Sequence, residues 1–142
     1  MRLFSLLLLS LAILSCSSSK KSFQRTMVNS SAFYIAEVST DSTYGYDSRN
    51  PVMVGGDMQD GPLNEKRYLN GLAGPNGEMI SYSRSSSCCP VKSKNGFMGY
   101  AMLDHFRVTW EGSKDTVSIY LNMYDPGEIK APVGFTLVWE QQ

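Results

Sequence analysis

Phe106-Arg107-Val108-Thr109-Trp110 and Val117-Ser118-Ile119-Tyr120-Leu121-Asn122-Met123 each alternate apolar and polar side chains, with Gly112-Ser113-Lys114-Asp115 between them. A period of two puts Phe106, Val108 and Trp110 on one face of a strand and His105, Arg107 and Thr109 on the other. In the second run Val117, Ile119, Leu121 and Met123 share a face opposite Ser118, Tyr120, Asn122 and Tyr124. Two such runs joined by a short, polar, glycine-containing link read as an antiparallel hairpin with one face buried. The strands are expected over residues 100–111 and 117–124, and Asp125-Pro126-Gly127 ends the pair.

Outward from this hairpin the signals are shorter. Residues 79–84 read as a strand with Ile80 and Tyr82 on one face, entered from the turn signal Asn76-Gly77. Residues 85–95 read as a loop. Asp60-Gly61-Pro62 opens the one good helix, because proline is pre-organised for a first helical turn and Asp60 or Gly61 can cap it. The helix is expected over 63–73, stopped by Gly74-Pro75, with a narrow apolar stripe from Tyr68/Leu72 and Leu69/Ala73. Glu65, Lys66 and Arg67 read as its solvated face. Residues 32–38 and 51–54 read as strands, the second starting at Pro51, where the missing N–H is tolerated, and closing at Gly55-Gly56. Residues 40–50 read as a loop and 135–139 as a last strand. Five or six strands, mostly in hairpins, and one helix give an α+β fold: a small antiparallel sheet with the helix packed on one face.

The chain of 142 residues suits one domain, and its 13 basic and 13 acidic residues give no broad field for nucleic acid. A hydrophobic content of 42% is enough for a packed core. The opening residues have a separate character. Arg2 precedes the apolar run 3–14, which is the length of a signal-peptide core and too short to span a bilayer. It ends in Ile13-Leu14-Ser15-Cys16, which resembles a bacterial lipobox; Ser15 fits that pattern and Leu14 is bulkier than it prefers. The expected organisation is a lipoprotein signal peptide over 1–15, a lipidated Cys16 with a flexible tether over 16–30, and one globular domain over 31–142. Acyl chains on Cys16 would hold the protein on a membrane that it does not cross. Lys20 and Lys21, in place of the acidic residues that often follow the lipidated cysteine of surface-displayed lipoproteins, lean towards the periplasmic face of the outer membrane.

Ser87-Cys88-Cys89-Pro90 is the most unusual chemical feature. With Cys16 consumed as a thioether, Cys88 and Cys89 are the remaining thiols, and an oxidising periplasm disfavours leaving both free. Neighbouring Cα atoms lie about 3.8 Å apart, below the usual disulfide range of about 4.4–6.8 Å, so a bond between them is strained. Three readings stay open: a structural vicinal disulfide or buried thiols, a redox-active or partner-linked pair, and a metal site. The last is weakest, since zinc favours wider cysteine spacing and only His105 is at hand to help. Asp104 and His105, as neighbours on a strand, point to opposite faces and do not form a catalytic dyad. No nucleophile-elbow serine motif and no phosphate-cradling glycine loop is present, so no catalytic, cofactor-binding or metal residue is assigned. Tyr44, Tyr46, Tyr68, Tyr82, Tyr100, Tyr120 and Tyr124 read as core edges and sheet faces, with a glycan- or partner-binding aromatic surface as the other reading.

Tyr44-Gly45-Tyr46, Asn50-Pro51-Val52-Met53-Val54-Gly55-Gly56, Gly61-Pro62-Leu63-Asn64-Glu65-Lys66-Arg67-Tyr68-Leu69, Gly74-Pro75-Asn76-Gly77, Ser87-Cys88-Cys89-Pro90 and Leu121-Asn122-Met123-Tyr124 resemble a family of small Bacteroidota-type lipoproteins. The resemblance covers residues 44–135, and the Cys-Cys-Pro and Leu-Asn-Met-Tyr segments are its most distinctive parts. It implies an envelope location and a small fold, and it supplies no established site. Members often carry the name 2-dehydro-3-deoxyphosphooctonate aldolase, but that enzyme is a (β/α)₈ barrel of at least about 200 residues. The expected function is therefore a lipid-anchored, non-enzymatic accessory or binding protein at the outer membrane, with an envelope protein as partner. Thiol-redox or metal handling by Cys88 and Cys89 is the alternative, ahead of an enzyme whose polar residues assemble only in three dimensions.

Overall fold

The computed structural model describes residues 24–56 and 60–141. The signal-peptide and lipobox readings, Cys16 included, lie outside the described residues. The elements are β1 (Met27–Asn29), β2 (Ala32–Phe33), β3 (Val52–Met53), α1 (Gly61–Leu69), β4 (Leu72–Ala73), β5 (Ile80–Phe97), β6 (Tyr100–Trp110), β7 (Val117–Asn122) and β8 (Thr136–Leu137), followed by a 3₁₀ turn, Val138–Gln141. One four-stranded sheet in the order β3-β7-β6-β5 dominates, flanked by the two-stranded pairs β1-β2 and β4-β8. The fold is α+β.

The sheet forms where the alternation is strongest. Phe106 pairs with Ile119 and Val108 with Val117, so the apolar sets of β6 and β7 share one face. That face carries Phe106, Val108, Ile119 and Leu121 into a single core with Tyr68 and Leu69 of the helix, Leu72, and Ile129, Ala131, Phe135 and Leu137 from the later chain. β3 joins β7 in parallel, with Val52 opposite Leu121, so the sheet is mixed. Gly55 permits this join: its amide donates to the Asp125 carbonyl at 3.0 Å, and a Cβ there would lie 2.5 Å from the backbone of Tyr124.

Besides the parallel β3-β7 join, the structure departs from the sequence reading in several elements. The expected strand over 32–38 is only β2, with a single further bridge from Val38 to Ala131. The helix ends at Leu69, not at Ala73, because the Gly71 amide turns back to the Tyr68 carbonyl. Leu72 and Ala73 then pair with Leu137 and Thr136 as a strand. The expected strand over 135–139 shrinks to Thr136–Leu137 before a 3₁₀ turn. Most consequentially, residues 85–95 are not a loop. β5 continues through them as the edge strand of the sheet, with register shifts between Arg84 and Ser86, Cys88 and Pro90, and Lys92 and Phe97. Bulges of this kind let a strand absorb residues whose pattern is not that of a strand.

Residues 24–30 lie in the stretch read as a tether, and they carry β1 and Arg25. The guanidinium of Arg25 donates from Nη1 to the carbonyls of Val54 (3.1 Å) and Gly55 (2.8 Å), and from Nη2 to those of Met53 (3.0 Å) and Gly127 (3.1 Å). A charged donor on neutral carbonyls is a strong form of hydrogen bond, so Arg25 ties this segment to β3 and to the turn after β7.

Leu121 sits at the centre of the sheet, fully buried. Leu121→Ala should lower the unfolding free energy by about 2–5 kcal/mol, the cost of the lost transfer energy plus a cavity. Met79→Ala, at a side chain 87% exposed, should change it by under about 0.5 kcal/mol. Urea unfolding of the purified protein checks both, and equal losses at the two positions would contradict the described packing.

Candidate functional site

The sheet brings two features named from the sequence, the cysteine pair and Asp104, beside a third that sequence reasoning missed. Cys88 and Cys89 sit in the second bulge of β5, half-buried, with their sulfurs bonded to each other and their Cα atoms 3.7 Å apart. Cys89 adopts a positive φ of 57°, a conformation that non-glycine residues seldom take. Pro90 follows on an edge strand, where a residue without an amide donor leaves no ladder bond unmade in the interior.

Ser87, the residue before the pair, lies opposite Asp104 of β6. Its Oγ donates to Asp104 Oδ1 at 2.7 Å. Arg84 closes on the same carboxylate from Nε (2.6 Å to Oδ2) and Nη2 (2.7 Å to Oδ1), and Nη2 also donates to Ser87 Oγ. Asp104 is only 3% exposed, and this two-pronged pair supplies hydrogen bonds to a carboxyl taken out of water.

Glu65 completes the group and corrects the sequence reading. It is not on the solvated face of the helix: it is 2% exposed, while Lys66 is exposed as expected. Arg67 is partly buried and donates to Asn64 Oδ1 at 3.2 Å. Burial is the largest influence on the Glu65 carboxyl, followed by the negative charge of Asp104 and a hydrogen bond shared with it. Arg84 opposes them, and the net effect pushes Glu65 up to about 8. At neutral pH Glu65 is therefore an acid donating to Asp104, since two carboxylates this close cannot both ionise cheaply. Its Oε1 is buried with no hydrogen-bond partner among the described residues. A signal for this was present. Tyr68, Leu69 and Leu72 form the buried stripe, and stepping back three and four residues from the first two lands on Glu65.

Glu65, Arg84 and Asp104 line one side of a cavity of about 410 Å³ between the helix and β5-β6. Pro62, Tyr82, Phe106 and Met123 supply its apolar walls, with the Tyr82 and Phe106 rings edge to face at 6.2 Å. The arrangement offers a buried proton donor, a paired carboxylate and an aromatic wall. The Ser87 hydroxyl is set against the Asp104 carboxylate, which Arg84 also holds through two hydrogen bonds.

His105 does not join it. Its ring stacks on Tyr120 at 5.0 Å on the opposite face of β6 from Asp104, as the alternation requires. Asp125, after β7, serves the scaffold instead. Burial acts to raise it, but hydrogen bonds from Ser93, Asn122 and Asn95 prevail and hold it below the ordinary carboxylate range. Those bonds, at 2.6, 2.8 and 2.9 Å, pin the far part of β5 to the turn after β7. The tyrosines are structural where they are buried. Tyr68 donates to the Lys130 carbonyl at 2.9 Å and Tyr82 to Asn70 Oδ1 at 2.8 Å.

Comparison of the chain with protein-family models, with curated proteins and with solved structures finds no match.

The raised Glu65 acidity carries a sign for stability. The folded protein keeps this proton up to about pH 8, while an unfolded chain releases it near 4.5. The folded state thus binds more protons across that window, and stability falls as pH rises through it. Glu65→Gln should remove this slope. Relative to wild type it should gain stability from pH 5 to pH 8 at up to about 1 kcal/mol per pH unit. Urea unfolding of both proteins at pH 5, 6.5 and 8 makes the measurement, and parallel pH profiles would show Glu65 to be ionised throughout.

Proposed function

We propose that the chain is a lipid-anchored envelope protein, held at the outer membrane through Cys16 and facing the periplasm, whose folded domain binds an envelope protein partner without catalysing a reaction. The anchoring half of this reading rests on the sequence alone: the apolar run 3–14 and Leu14-Ser15-Cys16. The binding half is carried by one observation, the far end of the β5-β6 hairpin. There Phe97 is 84% and Met98 83% exposed, with Tyr100 and Met102 also exposed beside them. Adjacent large apolar side chains held out in solvent on a formed hairpin mark an interaction surface more often than a scaffold. The hairpin is built to hold this tip. Gly99 turns it with φ +82°, and at Gly96 a Cβ would collide with the Tyr100 carbonyl, so the two arms approach as only glycine allows.

β5 is also an edge strand, with one side of its backbone unpaired in the sheet. Pro90 and the Cys88-Cys89 bulge interrupt that edge, which limits strand-to-strand addition and leaves the apolar tip as the contact. A barrel aldolase needs eight parallel strands closed into a ring, and the described sheet has four mixed strands. The geometry therefore supports binding over that activity.

A second reading, thiol redox, is favoured by the placement of the Cys88-Cys89 bond next to Ser87. Reduction would alter the residue that holds the Asp104 carboxylate, so the two sites are joined through one peptide unit. Alkylation followed by intact mass, before and after incubation with a thioredoxin-type reductant, separates the readings. A pair that stays bonded removes the redox one.

Two outcomes are expected in cells. Wild-type protein should incorporate labelled palmitate and sediment with membranes, and Cys16→Ala should do neither; a wild type without palmitate overturns the anchor. A photo-crosslinking residue in place of Phe97 should give one discrete adduct in the envelope, lost when Met98→Asp is added. The same residue in place of exposed Thr116 should give none. Indistinguishable patterns at the two positions would overturn the hairpin as the contact.

A further inference from the structure

We propose that the cavity between α1 and β5-β6 is a binding site for a small primary amine with an apolar or aromatic body, and that Glu65 is the carboxylate that receives the ammonium group. The charges at the cavity wall are unequal. Two buried carboxyls, Glu65 and Asp104, face one guanidinium, and Arg84 gives its described hydrogen bonds to Asp104 and Ser87. Lys66 also lines the cavity, but it is exposed to solvent and forms no ion pair among the described residues. Tyr82 is the other titratable group at the wall. With both carboxyls ionised the cluster is one positive charge short, and the free protein meets that deficit with a proton on Glu65.

A ligand ammonium would meet it better. Glu65 Oε1 is shut off from solvent and has no hydrogen-bond partner among the described residues, so a turn of this side chain towards the cavity it lines would present an unclaimed acceptor. An anionic ligand would add to the deficit. A neutral one would leave the acid as it is. Beyond the acids, the rings of Tyr82 and Phe106 with Pro62 and Met123 form an apolar wall. Aromatic faces also attract a nearby cation. A volume of about 410 Å³ falls in the range of small-molecule sites, roughly 300–1,000 Å³.

The proton balance makes the inference specific. The amine arrives as R–NH₃⁺, Glu65 gives up its carboxyl proton to solvent, and the carboxylate and ammonium pair. One proton leaves per ligand bound. With Glu65 pushed up to about 8 in the free protein, affinity should rise close to tenfold per pH unit below that point. An alkyl amine stays fully protonated over this range.

Isothermal titration of the purified protein with phenethylammonium tests this. It is run at pH 6 and pH 7, each in two buffers of different protonation enthalpy, with 2-phenylethanol and 3-phenylpropionate as neutral and anionic comparisons. The expected result is saturable amine binding, release of about one proton, and close to tenfold tighter binding at pH 7 than at pH 6. The alcohol should bind more weakly and without pH dependence, and Glu65→Gln should bind the amine no better than the alcohol. Absence of amine binding at millimolar concentration, equal affinity for the alcohol, preference for the propionate, or binding without proton release would each overturn the proposal. The wild-type proton count decides the matter even if the Gln variant is poorly folded.

Discussion

The inner face of β6 and β7 has to be covered, and a helix of nine residues is too short to cover it alone. Most of the structure answers that constraint. Chain with little regular structure, residues 34–51 and 123–135, is drawn over the sheet and buries Ile35, Ile129, Ala131 and Phe135. Irregular chain at a core carries backbone groups that no ladder satisfies. Aromatic side chains supply the partners. The Tyr68 hydroxyl holds the Lys130 carbonyl, the Tyr44 hydroxyl accepts the Lys130 amide, and the Trp139 indole donates to the Ile35 carbonyl at 2.7 Å. Each contributes apolar area to the core and a polar tip to the loop that crosses it. Arg25 does the same work with a charged head.

Against that economy the acids at the helix–sheet junction stand out. A carboxyl buried without a full set of partners lowers stability, and an apolar residue would fit the Tyr68-Leu69-Leu72 stripe better. Local rules broken at a cost, with no gain to the scaffold, tend to coincide with sites. Their position reinforces the point, since the acids meet Ser87 on one side and an aromatic-walled cavity on the other. The vicinal disulfide, the paired carboxylate and the cavity thus occupy one continuous stretch of β5 and β6.

How much of this was legible follows from which residues carry a period. Phe106 to Trp110 and Val117 to Met123 carry an unbroken period of two, and the hairpin, its turn and its buried face follow from it. Ser85 to Asn95 carries none: four serines, two cysteines, a proline and two lysines look like a loop. It is a strand only because β6 offers a long ladder and bulges take up the mismatch, which is tertiary context overriding local preference. The helix was placed by Gly61-Pro62, but its end depended on Leu72 and Ala73 having a strand partner more than 60 residues away, which no local signal reports. Glu65 was misplaced because a charged residue was assigned to solvent on its type, when its position relative to Tyr68 and Leu69 put it inside. The opposition of Asp104 and His105 was legible, because strand parity alone decides it.

The pairing of Leu72-Ala73 with Thr136-Leu137 has a kinetic side. Together with the Trp139 contact to Ile35, 104 residues apart in sequence, and the Val138 amide on the Gly71 carbonyl, it makes residues 136–139 a structural member of the core. The hairpin β5-β6-β7 can form from contacts close in sequence. Closure of the core over it has to wait for residues 129–139, and loop-closure entropy must be met before those contacts form. During that interval the apolar face of β6 and β7 stands open next to an unpaired edge strand, the condition in which chains associate wrongly.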